Sequence, residues 1–330
     1  MQRNRFSLIV AVVLLLMLAG CGNSQNANPL VVSTKQTSTE APKAPTGQKT
    51  VALVMKTLTN PFFIEMEKGA RKAEKEFGIQ LIVKTGAQET SIDQQIAIID
   101  EMIRAKVDAI VIAPASSTEL IPVLKKAYDA KIPIVNIDNR LDPEVSKRIG
   151  LTDVPFVSVN NEQGAYMAGN YLSNLIKSPA EAVVIEGIRS AKNAQERTAG
   201  ALKAFKENTN ITVVAVETAN WKIDEAYAVA ARLYEKHPNI GVFFCGNDMM
   251  ALGVMKYLKE KGKTEVLVAG YDALTEAKTA VKAGTLTVTV DQQADLQGYL
   301  GVKLALQKVR QERVALETTV DVKVIDKGAL

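Results

Sequence analysis

The sequence predicts an α/β protein made of two doubly wound parallel-sheet lobes. Short aliphatic runs alternate with longer amphipathic stretches from Val51 onward, and strands this apolar are typical of parallel sheets that helices cover on both faces. The 330-residue chain contains more such runs than one open sheet of typical size needs. Because a polar stretch at 139–153 interrupts the alternation near the middle, two doubly wound lobes are the natural division.

The predicted elements follow one another in regular order. The first three strands each precede a helix: 51–55 precedes 62–77, 81–83 precedes 92–103, and 109–112 precedes 120–130. Capping-box spacings mark two helix starts, Ser91 with Gln94 and Ser116 with Glu119. Further strands are predicted at 134–137, 182–185, 212–216, 242–244, 266–268 and 287–290.

The first 20 residues have the features of an export signal. Arg3 and Arg5 precede an apolar run at 8–18, which is shorter than the roughly 20 residues that a bilayer span needs. Leu18-Ala19-Gly20-Cys21 resembles the lipobox of bacterial lipoproteins, in which the cysteine becomes the diacylated N-terminus. We therefore expect a signal peptide at 1–20 and lipidation of Cys21.

Residues 21–49 contain few aliphatic side chains, so we expect a disordered tether there. The protein is then extracytoplasmic and anchored by its N-terminal lipid to the bacterial cell membrane, on the outer face or in the periplasm.

Composition argues against several classes of partner. Lys and Arg number 40 and Asp and Glu 36, giving a net charge of +4, and the chain has no run of five like charges, so we expect no nucleic-acid partner. One His and two Cys leave no His/Cys cluster for zinc and no C-x-x-C pair for redox chemistry. The sequence therefore predicts neither a metal nor a cofactor.

Polar and aromatic residues recur after the predicted strands, where open α/β sheets bind their ligands. Carboxylates and amides can hydrogen-bond hydroxyls, Arg donates a planar fork, and aromatic faces cover apolar C–H surfaces. This mixture indicates a neutral polyhydroxylated ligand. The candidate ligand-binding residues are Asn60, Phe62, Phe63, Asp138, Asn139, Arg197, Trp221, Asn247, Asp272 and Gln292.

Several of these residues also have a purely structural interpretation. The alternatives are Phe62, Phe63 and Trp221 as core aromatics, Asp138 and Asp272 as helix caps, and Arg197 as a surface partner of Glu196. The coincidence of so many of them at strand ends favours a binding site.

Over residues 50–324 the chain resembles the ribose-type periplasmic sugar-binding proteins, the solute-binding components of ABC importers for simple sugars. The resemblance rests on short motifs and on the spacing from the last of them to Gln292. The motifs are Leu58-Thr59-Asn60-Pro61-Phe62-Phe63, Ile132-Pro133-Ile134 leading to Asp138, Glu196-Arg197, Asn247-Asp248-Met249-Met250-Ala251-Leu252-Gly253 and Gly270-Tyr271-Asp272.

The resemblance implies the type I periplasmic binding protein fold, with a three-stranded hinge crossing near Val159, Gln292 and Asp321. It implies an N-terminal lobe of 50–159 plus 293–321 and a C-terminal lobe of 160–292 plus 322–330. It also implies a monosaccharide or polyol ligand, an ABC transporter permease as partner, and a monomer. The implied hydrogen-bonding residues are Asn60, Asp138, Arg197, Asn247, Asp272 and Gln292, and the implied ring sandwich is Phe62, Phe63 and Trp221.

Three positions depart from the ribose pattern. Lys56 stands where ribose binders have a small serine, Asn139 where they have Arg, and Val159 where they have a small polar residue. Altered hydroxyl partners argue against ribose itself and leave other pentoses, hexoses and sugar alcohols open.

We expect no enzymatic activity, because the chain has no G-x-S-x-G or H-E-x-x-H motif. Asp138 and Asp272 raise the question of a glycosidase, but a binder's acids are expected to be ionised acceptors without a raised pKa. A LacI-type repressor would need a helix-turn-helix where this chain has an export signal. A sugar or autoinducer sensor that presents its closed form to a chemoreceptor or sensor kinase remains an alternative to transport.

Overall fold

The computed structural model describes residues 47–330. The predicted signal peptide, Cys21 and all but the last three residues of the predicted tether lie outside the described residues. The strands are β1 (Thr50–Met55), β2 (Gln80–Thr85), β3 (Ala109–Ile112), β4 (Ile134–Ile137), β5 (Phe156–Val159), β6 (Ala180–Glu186), β7 (Ile211–Thr218), β8 (Ile240–Cys245), β9 (Leu267–Ala269), β10 (Thr289–Asp291), β11 (Glu317–Val320) and β12 (Lys323–Ile325).

Helices separate most of these strands. They are α1 (Pro61–Phe77), α2 (Ile92–Arg104), α3 (Ile121–Asp129), α4 (Pro143–Arg148), α5 (Asn161–Leu175), α6 (Lys192–Lys206), α7 (Ile223–Lys236), α8 (Asp248–Glu260), α9 (Thr275–Ala283) and α10 (Ala294–Val309). Within residues 47–330 no helix combines the length and apolarity that a membrane span requires.

The strands form two parallel sheets, which confirms the predicted α/β class. The first sheet has the order β11-β5-β4-β3-β1-β2 and the second the order β7-β6-β8-β9. In each, the second strand lies on one side of the first and the third on the other, which is the arrangement of doubly wound sheets. β10 extends the second sheet, since Gly270 N donates to Val288 O (2.9 Å) and Asp272 N to Val290 O (2.7 Å), and β12 pairs antiparallel with β10.

Alternate side chains of each strand enter different cores because the side-chain period of a strand is two. In β1, Val51 and Leu53 pack in the core that holds α1 and α10, whereas Ala52 and Val54 face α2 and α3. The second sheet is likewise covered by α5 and α6 on one face and by α7 and α8 on the other. Burial on both faces explains why these strands are almost purely aliphatic.

The chain passes three times between the elements of the two sheets. It leaves the first sheet after β5 and enters α5, which packs against α6. It returns from β10 to α10, which packs against α1, and it crosses again from β11 to β12. These passages hold the two sheets together with their strand ends facing each other.

Three short strands were not predicted. They are β5, β11 and β12. β5 reads Phe-Val-Ser-Val and β11 reads Glu-Thr-Thr-Val, so neither is an aliphatic run, and β12 has only three residues. β11 lies at the edge of the first sheet with Glu317 and Thr319 exposed, and an edge strand needs little apolar side-chain surface.

The two capping boxes do not form as predicted. Ser91 does precede α2, but its hydroxyl accepts from Gln88 N (3.1 Å), and Gln94 Oε1 accepts from Ala87 N (2.7 Å). Ser116 Oγ accepts from Glu119 N (3.3 Å) within a separate turn, and α3 begins only at Ile121. Both serines therefore stabilise the loop before the helix.

Candidate functional site

The strand ends of both sheets meet at a small cavity. Nine of the ten candidate residues line it, Asn139 being the exception. Lys56, Glu89 and Asn193 complete the lining, and of these three the sequence analysis had singled out only Lys56. A larger hollow, lined by Lys106 and Lys131, lies at the amino ends of β3 and β4 and so at the opposite edge of the first sheet. The nine candidate residues that line the cavity at the strand ends are Asn60, Phe62, Phe63, Asp138, Arg197, Trp221, Asn247, Asp272 and Gln292.

Lys56, the first residue after β1, forms a buried ion pair at the cavity. Its Nζ lies 2.8 Å from Asp138 Oδ2 and 4.0 Å from Glu89 Oε2. Asn60 Nδ2 donates to Glu89 Oε1 at 2.8 Å. Burial raises the pKa of the Glu89 carboxyl, and the Lys56 ammonium and the Asn60 amide oppose that rise. The first sheet therefore supplies one cation and two acids in close contact.

Phe62 and Phe63 form an aromatic wall beside this ion pair. Asn60 Oδ1 caps α1 by accepting from Phe62 N (3.0 Å), and Pro61 occupies the first helical position, so the helix start fixes both rings. The rings meet edge to face with centroids 5.1 Å apart, and Lys56 Nζ lies 5.6 Å from the centre of the Phe63 ring. Both aromatics thus belong to the core and to the cavity lining at once.

Arg197 of α6 is held rigidly on the second sheet's side. Its guanidinium donates to Asn161 Oδ1 (2.8 Å), Gly246 O (2.9 Å) and Gln292 Oε1 (3.1 Å), and it stacks 3.9 Å from the centre of the Tyr271 ring. The Arg197 residue is only 3% exposed. The alternative of a surface pair with Glu196 is therefore wrong.

Asp272 follows β9 and faces Arg197. Its Oδ1 accepts from Gln292 Nε2 (2.6 Å) and lies 3.7 Å from Arg197 Nη1. Burial raises the pKa of the Asp272 carboxyl well above its ordinary value, and the Arg197 charge opposes this rise. The expectation that both acids would be unperturbed acceptors is thus wrong for Asp272.

Neither candidate acid is a helix cap. The residues that precede α4 and α9 are Asp142 and Leu274, whereas Asp138 and Asp272 end strand extensions and line the cavity. Asn247, in contrast, does cap a helix, because its Oδ1 accepts from the backbone N–H of α8 at Met250 (2.9 Å).

Trp221 contributes the third aromatic side chain of the cavity lining. It is 4% exposed, and its ring lies so close to Gly187 that a Cβ there would come within 2.0 Å of it. Asn247 Nδ2 reaches the Trp221 carbonyl at 3.5 Å. The indole Nε1 has no hydrogen-bond partner within residues 47–330.

Three lining residues adopt a backbone conformation that non-glycine residues rarely accept. The φ angles are 62° at Asp138, 67° at Trp221 and 121° at Asp272. Such conformations cost on the order of 1–3 kcal/mol each and cluster at functional sites. Their coincidence at one cavity indicates that the strand ends are shaped for a ligand.

Asn139 faces away from the cavity. Its Nδ2 donates to Pro114 O (3.1 Å), and its Oδ1 accepts from Ser117 Oγ (3.3 Å) and from Asn193 N (3.2 Å). The positive φ of Asp138 reverses the chain between the two residues, so that adjacent side chains serve different purposes. As the structure places it, Asn139 joins the two sheets.

The first turn of α6 is capped from the other side of the cleft. Its own N-cap residue, Ala191, has no side chain that can accept a hydrogen bond. Lys192 N donates instead to Ser117 Oγ (2.9 Å) and Asn193 N to Asn139 Oδ1, both in loops of the first sheet. These two backbone N–H groups, which have no partner within the helix, are therefore hydrogen-bonded only while the two sheets are together.

As a whole the lining offers two cations, three acids, four amides and three aromatic faces. Such a site suits a small neutral molecule with many hydroxyls. No group of three or more His, Cys, Asp or Glu residues within 47–330 is arranged to hold a metal ion.

Comparisons with known proteins point to one family. A family model described as a periplasmic binding protein domain matches residues 51–313. The chain is 42% identical over 262 residues to the D-ribose/D-allose-binding protein of Pseudomonas aeruginosa, covering 78% of this chain and 81% of that protein. It is 32% identical over 278 residues to the D-allose-binding periplasmic protein of Escherichia coli, covering 83% and 89%.

A solved structure agrees with these relatives. An ABC transporter periplasmic solute binding protein from Actinobacillus succinogenes with bound D-allose matches with a TM-score of 0.81 and 35% identity. The match covers 86% of this chain and 99% of that one.

Proposed function

The chain belongs to the family of periplasmic binding protein domains, and we propose that it captures a monosaccharide in the cavity between its two sheets and delivers it to an ABC importer. The observation that carries this proposal is the convergence of strand-end residues from both sheets on one cavity. The fold agrees, because its two parallel sheets match solved solute-binding proteins of this type.

The charge pattern supports a neutral ligand. Lys56 already has Asp138 and Glu89 beside it, and Arg197 already has Asp272. A sugar acid or sugar phosphate would need a cation free of such acids, since a buried charge without a partner is costly. The proposal therefore excludes anionic sugars.

D-Allose is the first ligand that we propose, and D-ribose the second. Two of the relatives described above carry allose in their names, and the matched solved structure holds D-allose. Lys56 supports a ligand other than ribose, because it lines the cavity where the ribose pattern has a small serine.

We propose that the sheets belong to two lobes that close on the sugar about a hinge. The lobes are 50–159 plus 293–321 and 160–292 plus 322–330, with crossings near Val159, Gln292 and Asp321. The support is that the strands of the two sheets divide along these lines and that α10 packs on α1. The cleft bonds of Ser117 and Asn139 would then belong to the closed form.

We also propose that the protein is a monomeric lipoprotein anchored through Cys21, with residues 21–49 as its tether. Changing Cys21→Ala should release it from membranes without changing its sugar affinity, because the tether separates the anchor from the cavity. Retention of the variant on membranes after a high-salt wash would contradict the lipid anchor.

A calorimetric panel tests the ligand proposal. We expect D-allose to bind, D-ribose to bind more weakly, and D-gluconate and D-ribose 5-phosphate not to bind. Each ligand that binds only the folded state should raise the melting temperature, and at equal concentration the tighter ligand should raise it more. Binding of an anionic sugar in preference to every neutral one would contradict the proposal.

Uptake measurements separate transport from sensing. Cells that lack the protein should lose the uptake of labelled D-allose at low concentration, and the native chain should restore it. Undiminished uptake together with a lost transcriptional or motile response to the sugar would favour the sensor alternative.

A further inference from the structure

Asn193 is a buried lining residue that the sequence analysis did not identify. It is the second residue of α6, it is 3% exposed, and it lines the cavity beside Asp138 and Arg197. A buried side-chain amide needs partners for both its oxygen and its nitrogen, because an unmet polar group in a dry site is costly.

The partners of Asn193 fix the direction of its amide group. Its Nδ2 donates to Asp138 Oδ1 at 3.3 Å. An ionised carboxylate only accepts hydrogen bonds, so the nitrogen must face Asp138 and the oxygen must point elsewhere. Within residues 47–330 no donor reaches Asn193 Oδ1, although this atom is buried.

Since Asn193 lines the cavity, a hydroxylated ligand bound there is the natural source of the donor that its Oδ1 lacks. Trp221 Nε1, a buried donor without a partner among residues 47–330, lines the same cavity. Both atoms are satisfied at once if a ligand carries one hydroxyl that donates and one that accepts, as any sugar does.

We propose that Asn193 is a specificity-determining residue whose Oδ1 accepts a hydrogen bond from one hydroxyl of the bound sugar. The inference rests on the proposed function and adds a contact to it. Because the Asn193 backbone N–H and Nδ2 also bind Asn139 and Asp138 across the cleft, the residue recognises that hydroxyl only when the sheets are together.

The test is a set of double-mutant cycles between protein variants and monodeoxy sugars. Calorimetry measures the affinity of the native protein and of Asn193→Ala for D-allose and for its 2-, 3-, 4- and 6-deoxy analogues. Asn193→Ser is the milder second variant, because serine is well tolerated at a helix start. The D-ribose series replaces the D-allose series if D-ribose binds more tightly.

In the native protein, a sugar that lacks the hydroxyl donating to Asn193 Oδ1 should bind about tenfold more weakly, since this buried oxygen is then left without a hydrogen bond. In Asn193→Ala and Asn193→Ser the same deoxy analogue should bind nearly as well as its parent sugar. The matched control is Ser117→Ala, which removes a cleft bond outside the cavity and should weaken every sugar by the same factor.

Three outcomes decide the matter. The proposal is supported if the affinity penalty of one deoxy analogue disappears in the Asn193 variants while the penalties of the other analogues stay unchanged. Equal penalties for every deoxy analogue in the native protein and in both Asn193 variants would overturn it while leaving sugar binding intact. Failure of the native protein to bind any sugar would overturn the proposed function and this inference together.

Discussion

Ser117 Oγ lies 2.9 Å from the backbone nitrogen of Lys192 and so caps a helix that belongs to the opposite sheet. The adjacent bond from Asn193 N to Asn139 Oδ1 has the same character. Helix caps usually come from the residue before the helix, but here that residue is an alanine. In the proposed closure of the lobes, part of the free energy would therefore come from protein–protein bonds outside the cavity.

Removing the Ser117 hydroxyl should weaken sugar binding without disturbing the cavity. Loss of a helix cap costs about 0.5–2 kcal/mol, and here the cost applies only to the closed form. We expect Ser117→Ala to lower sugar affinity by roughly three- to thirtyfold, with a faster dissociation rate in stopped-flow measurements.

The neighbouring serine provides the control. Ser116 Oγ accepts from Thr118 N and Glu119 N within its own loop, so Ser116→Ala should lower the free energy of unfolding and leave sugar affinity unchanged. Equal affinities of both variants and the native protein would show that the cleft bond contributes nothing to closure.

Lys56→Met should make sugar binding depend on pH. The Lys56 charge opposes the raised pKa of Glu89, so its removal raises that pKa further in the closed form. A closed form that binds more protons than the open form is favoured by acid, so the variant's affinity should increase as pH falls from 8 to 5. Its affinity at neutral pH should fall at least about tenfold, because two buried acids lose their cation.

Lys84→Met is the matched control, because Lys84 pairs with Glu101 on the protein surface. Its affinity and pH dependence should equal those of the native protein in calorimetric titrations. A Lys56→Met variant with flat pH dependence and native affinity would remove the ion pair from the binding site.

Asp248→Asn should change how stability depends on pH. Burial raises the pKa of the Asp248 carboxyl from its ordinary 3.8 to about 6, while bonds from Thr289 Oγ1 and Leu274 N oppose the rise. Between these pH values the folded chain binds more protons than the unfolded chain, so this group's contribution to the free energy of unfolding falls as pH rises.

The stability of the native protein relative to Asp248→Asn should therefore decline from pH 4 to pH 6, by about 3 kcal/mol at most. An asparagine oxygen can still accept from Leu274 N, and its amide can donate to Thr289 Oγ1, so the variant should fold. Urea denaturation at several pH values measures the difference, and parallel curves for the two proteins would contradict the raised pKa.

The aliphatic strands could be predicted from the sequence because the fold buries them on both faces. β3 and β4 were predicted at 109–112 and 134–137, the bounds that the structure gives them. β11 could not be found in the same way, because an edge strand of Glu, Thr, Thr and Val carries no such pattern.

Lining residues that follow a strand could be predicted from the sequence. Lining residues that reach the cavity only because the two sheets approach each other could not. Asp138 directly follows β4 and Asp272 lies three residues beyond β9, so their common location follows from the topology. Asn193 lies at a helix start, and only the approach of the first sheet gives its amide a partner. Glu89 could have been predicted, because it is an acid four residues beyond the end of β2 and the other candidate residues also follow strands.

Trp221 offers the most direct test of the central claim that a sugar binds between the two sheets. It is the only tryptophan of the chain, so every change in intrinsic tryptophan emission reports on the wall of this cavity. The measurement is a titration of that emission with the sugar that calorimetry shows to bind most tightly. We predict a saturable change with a midpoint equal to the calorimetric dissociation constant, and a large loss of affinity in Trp221→Ala that Trp221→Phe partly restores. A sugar that binds calorimetrically but leaves the emission unchanged, and that Trp221→Ala binds as well as the native protein does, would place the binding site elsewhere.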